Sequence, residues 1–255
     1  MLDVTDDGGV RVVTFDRPDA RNAFNFALYV AVTEAVEAAA TDESVRAVVL
    51  TGRGTVFTAG QDLKEMADIA AGTAPPGIAK GFQGLLAAVQ RLDKPLLAAV
   101  NGPAVGLGFT VLAHCDLVLV AESARFRAPF AEMGVPPEAS SSWLFPQLLG
   151  WQQAARVLLA SEWVSADEAV AMGLALRVCP DDRVVDDTVA LARRIATFPP
   201  DGVREIKRLM RAGRADAVAQ AAAREERSFA RLFATMAAND GVGVGDPDVS
   251  DPRII

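Results

Sequence analysis

Short apolar runs recur along the chain, and most of them stop at Gly, Pro, Asn or Asp. Such runs, bounded by such residues, are typical of strands buried on both faces, as in a parallel sheet. Longer segments with helical spacing lie between them; Phe26–Ala40, for example, places Leu28, Val32 and Val36 on one side of a helix. The alternation predicts an α/β protein. The predicted strands are Val10–Phe15, Ala47–Thr51, Leu96–Val100, Leu117–Ala121 and Ala175–Cys179.

Helical spacing dominates the second half of the chain. Ser165-Ala166-Asp167-Glu168 has the form of a capping box, which opens a helix. We expect a core over residues 1–198, then a helical C-terminal section with a loose tail over residues 199–255, and a flexible stretch at Gly72–Gly77. The other predicted helices are Leu63–Ala71, Phe82–Leu92, Trp151–Ala160, Asp182–Phe198, Val203–Arg211 and Ala215–Met236.

One stretch, Pro95 to Asp116, combines a strand, a glycine turn and an apolar segment without breakers. The strand Leu96–Val100 ends at Asn101-Gly102-Pro103, and Gly106-Leu107-Gly108 then leads into a predicted buried helix over Phe109–Cys115. Free N–H groups at the start of such a helix suit a negative charge, although the glycines also suit simple close packing of helix on sheet. The glycine spacing matches neither the dinucleotide fingerprint nor a phosphate-binding Walker loop.

A second strand runs into a comparable turn. Ala47–Thr51 is followed by Gly52-Arg53-Gly54 and then by Ala59-Gly60-Gln61 before a predicted helix. Two such turns can aim two backbone N–H groups at one oxygen, which is the geometry of an oxyanion hole. The sequence therefore favours chemistry in which negative charge develops on an oxygen.

Composition and charge narrow the classes of function. The chain has 255 residues, a net charge of −8 and two cysteines, Cys115 and Cys179, without metal spacing. We expect no nucleic-acid partner, no membrane partner, no leader segment and a reducing, cytoplasmic location. The single histidine, His114, lies in the predicted apolar helix, so we interpret it as a hydrogen-bonded core residue rather than part of a triad or a metal site.

Several short motifs stand in a characteristic order and spacing. They are Arg17-Pro18 with Arg21-Asn22-Ala23, Phe57 with Ala59-Gly60-Gln61-Asp62-Leu63, Asn101-Gly102-Pro103-Ala104, Cys115-Asp116, and Ser165 with Glu168-Ala169 and Gly173-Leu174. Taken together, they resemble those of the crotonase (enoyl-CoA hydratase/isomerase) superfamily. The resemblance runs from about Gly9 to about Phe233 and implies a crotonase, ClpP-like spiral of strand–strand–helix units followed by a helical section. The tail Asn239–Ile255 departs from the family pattern, so coenzyme A contacts are not carried over to it.

The resemblance implies an acyl-coenzyme A thioester as the substrate, with no separate cofactor and no metal. The enolate oxygen would bind the backbone N–H groups of Gln61 and Leu107, whose side chains would be free to vary. Asp116 would have a structural role. The implied substrate-binding residues are Arg21, Ala23, Ala59, Gly60, Asp62, Leu63 and Gly106; Arg21, Arg53 and Lys64 either offset phosphate charge or are solvated surface cations.

The resemblance also indicates which reaction of the family to expect. Thr110 and Phe130 occupy the positions of the two glutamates that hydratases of the family use. Glu138 remains, in a context similar to that of peroxisomal-type Δ3,Δ2-enoyl-CoA isomerases, in which one glutamate moves a proton from C2 to C4. We expect apolar neighbours (Leu107, Phe130 and Trp143) to raise the pKa of Glu138 and the helix start at Ser140–Ser142 to lower it, leaving a carboxylate ionised at neutral pH.

Alternatives stay open at this point. Glu138 could be an acid that merely stabilises a helix start, and Glu132 is the rival base. The chain could be a hydratase or another crotonase-type enzyme, such as a hydrolase or dehalogenase, or a catalytically silent acyl-CoA-binding member. Relatives associate through their C-terminal helices, so we expect a homotrimer or a dimer of trimers.

Overall fold

The computed structural model describes residues 1–70, 73 and 79–238, arranged as two sheets surrounded by helices. The predicted loose tail and all of the predicted flexible stretch except Thr73 lie outside the described residues. The described strands are β1 (Leu2–Asp7), β2 (Val10–Phe15), β3 (Ala47–Gly52), β4 (Leu96–Val100), β5 (Ala104–Val105), β6 (Leu117–Ala121), β7 (Arg125–Arg127), β8 (Val164–Ser165) and β9 (Arg177–Cys179).

The larger sheet has the strand order β1-β2-β3-β4-β6-β9. Its strands are parallel except for the hairpin of β1 with β2, in which Leu2 faces Phe15 and Asp7 faces Val10. Every residue of β3 and β4 is buried, which explains their uninterrupted apolar sequence. Strand β1 was not predicted, because an acidic edge strand exposed over most of its length has no strong hydrophobic pattern.

The helices agree with the predicted segments to within a few residues, with one difference. The predicted buried helix over 109–115 is a short α-helix that begins earlier, followed by a 3-10 helix over Val111–His114. The α-helices are α1 (Phe26–Thr41), α2 (Leu63–Ala70), α3 (Ala79–Arg91), α4 (Leu107–Thr110), α5 (Ser141–Leu149), α6 (Trp151–Leu159), α7 (Ala166–Ala171), α8 (Val184–Ala196), α9 (Pro200–Ala212) and α10 (Ala215–Ala238).

The chain winds as a spiral because it passes repeatedly from the larger sheet to the smaller one. After β4 it forms β5 and after β6 it forms β7, both in the smaller sheet, and after β3 Thr58 forms an isolated bridge with Ala104 of β5. Helices follow each pair of segments. This topology and the helical section of α9 and α10 confirm the predicted spiral. It also brings the two glycine turns, which follow neighbouring strands β3 and β4, side by side.

A buried ion pair fastens the helical section to the core. Lys207 of α9 is 6% exposed, and its Nζ donates to Asp116 Oδ2 and to the carbonyl of Lys94, both at 2.7 Å. Asp116 Oδ2 also accepts from the N–H of Leu96 at 2.7 Å, at the start of β4. Asp116 therefore has the structural role expected for it. None of the described helices combines the length and the hydropathy needed to cross a bilayer.

Candidate active site

A cavity of about 950 Å³ lies where the two glycine turns meet α1, α3 and α10. An enclosed, largely apolar cleft with a few polar groups is the usual form of a small-molecule site. Of the predicted catalytic, oxyanion-hole and substrate-binding residues, Gly60 does not line it and is buried. The predicted residues that line the cavity are Arg21, Ala23, Ala59, Gln61, Asp62, Leu63, Gly106, Leu107 and Glu138.

Glycine conformations bring the two turns into contact. Gly60 has φ +85°, and a Cβ there would lie 2.5 Å from the carbonyl oxygen of Val105 and 3.4 Å from the nitrogen of Leu107. Gly106 has φ +53° and ψ −117°, a conformation that non-glycine residues rarely adopt, and it makes Leu107 the first residue of α4. The backbone before Gln61 therefore packs directly against the start of α4.

The N–H groups of Gln61 and Leu107 have no acceptor within the described residues. Phe24 donates its N–H to the carbonyl of Gly60 at 2.7 Å and accepts from the N–H of Asp62 at 3.0 Å. These two bonds involve the residues on either side of Gln61 and leave the N–H of Gln61 unused. Leu107 is at the first position of α4, where an N–H has no partner inside the helix. Both residues line the cavity, and both donors are without a partner among the described residues.

The loop that carries Arg21 is fixed by its polar neighbours. Arg21 and Asn22 have φ values of 50° and 57°, and the side chain of Asn22 is fully buried. Asn22 Nδ2 donates to the carbonyls of Arg53 and Val56 at 3.0 and 2.8 Å. The guanidinium of Arg17 pairs with Asp62 Oδ2 at 3.2 Å and links the loop to the glycine turn at Ala59-Gly60-Gln61. The loop therefore presents Arg21 to the cavity from a rigid base.

Arg53 does not line the cavity. Its guanidinium pairs with Asp3 at 2.7 Å and with Asp16 at 3.3 Å, and the residue is absent from the cavity lining. The suggestion that Arg53 offsets phosphate charge is therefore wrong, because two acids of the β1–β2 region already bind it. Arg21 and Lys64 are both exposed and line the cavity, where they are placed to meet an anionic ligand.

Tyr29, the only tyrosine, is a site residue that the sequence did not single out. It lies on the buried side of α1, lines the cavity, and donates from Oη to Gln61 Oε1 at 2.6 Å. Burial raises the pKa of Tyr29 well above its ordinary value, and the charge of Glu138 adds to the effect. The expectation that the Gln61 side chain is free to vary is therefore wrong, and Leu107 is also constrained, since it is 1% exposed.

Glu138 lies in the turn before α5, partly buried against the cavity. Burial raises its pKa to about 8, and the negative charge of Glu225 contributes to the same shift. The expected lowering by the helix start is wrong, because the N–H groups of Ser140 and Ser142 bind Glu225 instead. For the same reason Glu138 is not the acid that stabilises this helix start. The expectation of a carboxylate ionised at neutral pH is wrong as well, since a pKa of about 8 leaves Glu138 mostly protonated at pH 7. Of the apolar neighbours expected around it, Leu107 and Phe130 line the cavity and Trp143 does not.

Glu225 of α10 is the second acid of this region, and it was not predicted from the sequence. It is 8% exposed; its Oε2 accepts from the N–H of Ser140 at 2.7 Å and its Oε1 from the N–H of Ser142 at 2.9 Å. In the sequence it stands in the charged run Arg224-Glu225-Glu226-Arg227, which is typical of a solvated helix face. Only the packing of α10 against α5 shows its position.

Two further contacts hold the same turn. The ring of His114 lies with Nε2 2.8 Å from the carbonyl oxygen of Ala139, and burial lowers its pKa to about 4, so a neutral ring donates to that oxygen at pH 7. Ser140 Oγ donates to the carbonyl of Val218 on α10 at 2.9 Å. His114 is thus the hydrogen-bonded core residue that was expected.

Of the other candidate positions for a catalytic acid, one holds a glutamate that is paired with an arginine, and the two hydratase positions hold no acid. Glu132 lines the cavity, but its carboxylate pairs with Arg127 at 2.6 Å and its side chain is 48% exposed. Thr110 and Phe130, at the two hydratase positions, are 0% and 7% exposed and carry no carboxylate. Within the described residues, no group of three His, Cys, Asp or Glu side chains is arranged to hold a metal ion.

The chain resembles known proteins in sequence and in fold. A sequence model described as enoyl-CoA hydratase/isomerase matches residues 5–244. The chain is 36% identical over 211 residues to enoyl-CoA delta isomerase 2 of Rattus norvegicus, covering 82% of this chain and 54% of the relative, so it spans about half of that protein's length. It is 35% identical over 238 residues to 2,3-dehydroadipyl-CoA hydratase of Escherichia coli K12, covering 91% and 90% of the two chains. A crystal structure of an enoyl-CoA hydratase/isomerase from Pseudoalteromonas atlantica T6c matches with a TM-score of 0.86, at 37% identity and 93% coverage of both chains.

Proposed function

The chain belongs to the enoyl-CoA hydratase/isomerase family, and we propose that within this family it is a Δ3,Δ2-enoyl-CoA isomerase. The observation that carries the proposal is the position of Glu138, a carboxyl group in the same cavity as the free N–H groups of Gln61 and Leu107. The hydratase positions Thr110 and Phe130 hold no carboxylate that could orient a water molecule.

The substrate would be a 3-enoyl thioester with its carbonyl oxygen at the two N–H groups. The Glu138 carboxylate removes a proton from C2, and the electron pair spreads over the dienolate and onto the thioester oxygen. The N–H groups of Gln61 and Leu107 stabilise that oxygen, each by about 2.7–4 kcal/mol in the transition state. Glu138 then returns the proton at C4, the double bond settles between C2 and C3, and the enzyme is restored.

The pKa of Glu138 suits this cycle. A pKa of about 8 makes the carboxylate a stronger base toward a carbon-bound proton than an ordinary glutamate. At pH 7, however, Glu138 is ionised in only about a tenth of the free enzyme molecules. We therefore expect kcat/KM to rise with pH through about 8. Met66, Phe82 and Leu86 give the cavity an apolar wall that an acyl chain would contact.

The anionic end of coenzyme A needs local cations, since the chain as a whole carries a net charge of −8. Arg21 and Lys64 line the cavity mouth and are exposed, so they can approach phosphate groups. Surface cations of this kind contribute modestly and lose effect at high salt. We expect the KM for the thioester, rather than kcat, to rise with ionic strength.

Hydration of a 2-enoyl thioester is the second candidate, because Glu225 supplies a second carboxyl group to the cavity lining. Both of its oxygens already accept backbone N–H groups, which disfavours binding of a catalytic water. The isomerase proposal therefore ranks first.

Parallel incubation with 3-hexenoyl-CoA and crotonyl-CoA, followed by the absorbance of the 2-enoyl thioester, separates the candidates. An isomerase makes this absorbance grow with 3-hexenoyl-CoA and leaves crotonyl-CoA unchanged. A hydratase consumes the crotonyl-CoA signal, and a silent binding protein changes neither. Absence of growth with 3-hexenoyl-CoA, in protein shown by calorimetry to bind an acyl-CoA, would overturn the proposal.

A further inference from the structure

We propose that Glu225 is a positioning residue for Glu138: its two oxygens fix the turn that follows Glu138, and its charge faces Glu138 across the cavity lining. The inference rests on the proposed function, since it gives Glu225 a role through Glu138. It does not make Glu225 a catalytic residue, because both of its oxygens are bound to the protein itself.

The turn after Glu138 has an unusual backbone. Ala139 and Ser140 have φ values of 57° and 59°, left-handed conformations that are unfavourable for residues with a Cβ. They persist only where neighbouring groups hold them. Glu225 accepts the N–H groups of Ser140 and Ser142, on both sides of Ser141, and so grips the backbone directly after Glu138. A shift of this turn would move the Glu138 carboxyl group away from the acyl chain.

Glu138 and Glu225 also interact electrostatically, because both line the same cavity. Two carboxyl groups that share a site resist double ionisation, so the proton resides on one of them. Two N–H donors and the nearby charge of Arg224 favour the ionised form of Glu225, although burial opposes them and on balance raises its pKa. Glu138 makes no side-chain hydrogen bond within the described residues and is the better site for the proton, in line with its raised pKa.

Other groups around Glu138 do not titrate in the same range or are already paired. Tyr29 and His114 remain neutral near pH 8, since burial raises the pKa of the first and lowers that of the second. Charged groups from the other elements around the cavity are paired or exposed. Arg127 pairs with Glu132, Asp62 pairs with Arg17, and Glu226 accepts from Gln83. Asp19, Arg21 and Lys64 are exposed.

The test measures the titration of Glu138 directly, without turnover. The carboxyl carbons of glutamate are labelled with ¹³C, and the signal of Glu138 is assigned by its loss in Glu138→Gln. The wild-type signal should titrate with a midpoint of about 8. In Glu225→Gln the midpoint should fall by at least about half a pH unit, because the facing charge is gone. Glu226→Gln removes a charge from the next position of α10 but no contact with the turn, and should move the midpoint by less than half as much.

Kinetics and a second variant complete the test. Glu225→Gln should lower kcat for 3-hexenoyl-CoA at pH 9 about 10-fold with little change in KM, because the misplaced base loses proximity rather than binding. Glu225→Asp retains the charge but is one methylene shorter, so kcat should fall while the midpoint stays close to the wild-type value. This variant also tests the proposal if Glu225→Gln does not fold.

The outcomes separate the two proposals. An unchanged midpoint in folded Glu225→Gln, or unchanged kcat in Glu225→Asp, overturns the role of Glu225. A lowered midpoint in a protein that isomerises no 3-enoyl thioester upholds the coupling of the two acids and overturns the proposed reaction. A thermal melt of each variant distinguishes loss of positioning from loss of fold.

Discussion

The two halves of the cavity, the glycine turns and the Glu138 turn, achieve unusual backbone conformations by different means. In the glycine turns, Gly60 and Gly106 adopt positive φ values because they have no Cβ, and the result is a pair of free N–H groups. In the Glu138 turn, alanine and serine adopt positive φ values, and the turn is held by the Glu225 side chain and the Val218 carbonyl of α10. The first half is encoded locally and the second by contacts between residues 85 positions apart.

This difference predicts how each half fails. At Gly60 a side chain would create a steric conflict inside the backbone, which nothing nearby can relieve. At the Glu138 turn a substitution removes side-chain support or charge without adding a steric conflict. Substitutions in the two halves therefore separate these two kinds of failure.

The largest effect is expected for Gly60→Ala. The new Cβ would lie 2.5 Å from the carbonyl oxygen of Val105 at a residue with φ +85°, so the two turns must separate. We expect kcat/KM to fall about 10²–10³-fold, as for loss of one oxyanion donor. Gly54→Ala is the matched control, because its φ of +79° is also positive but no atom lies within 4 Å of the new Cβ and Gly54 does not line the cavity. If both variants lose activity equally, contact between the turns is not what matters.

The next effect concerns Glu138→Gln, which keeps shape but cannot accept a carbon-bound proton. We expect isomerase turnover to fall at least ~100-fold, while acyl-CoA affinity measured by calorimetry changes little. Glu132→Gln should cost less than about 3-fold, because Glu132 is half exposed and paired with Arg127. Near wild-type turnover of 3-hexenoyl-CoA by Glu138→Gln would remove Glu138 as the base and reopen the assignment to Glu132.

The contrast between the halves also explains how far the sequence could predict the molecule. Strands β2, β3, β4 and β6 were predictable because each is a bounded apolar run, and the glycine turns because their residues are conformationally specific. Strand β1 was missed because its polar residues pair with β2 through backbone groups that have no sequence pattern.

Within the site, only the residues that belong to a motif were predictable. Glu138 was predicted from its motif, but its pKa was not, because the helix-start N–H groups that should have lowered it bind Glu225. Tyr29 and Glu225 carry no motif at all. Their roles depend on which buried surfaces of α1 and α10 pack against the cavity, and that is a property of the tertiary structure.

A smaller effect, on stability, tests the electrostatics of the Glu138 turn. The pKa of Glu138 is raised from about 4.5 to about 8, so the folded protein keeps a proton that the unfolded chain releases. Folding stability from this group is therefore full below about pH 4.5 and declines as pH rises toward 8. Glu138→Gln removes this penalty and should be more stable than wild type by at least about 1 kcal/mol at pH 8, but not at pH 4. Equal melting temperatures at pH 8 would show that the burial of Glu138 carries no such cost.

The smallest effect is expected for Gln61→Ala, which tests whether the glycine-turn half depends on backbone alone. The N–H of residue 61 remains in place, so a strictly main-chain oxyanion hole would retain full activity. The structure adds one side-chain contact, however, from Tyr29 Oη to Gln61 Oε1 at 2.6 Å. The buried hydroxyl loses its acceptor in the variant, at a cost of about 1–3 kcal/mol to the packing of α1 against the turn.

We therefore expect Gln61→Ala to lower kcat about 3–10-fold, less than the loss of an oxyanion donor and more than the loss of a surface contact. The double variant Tyr29→Phe/Gln61→Ala removes both partners and should regain part of that activity, because no buried polar group is left unpaired. If the double variant is no better than Gln61→Ala, the side chain acts on the substrate rather than through Tyr29. The glycine-turn half would then resemble the Glu138 half in its reliance on side chains.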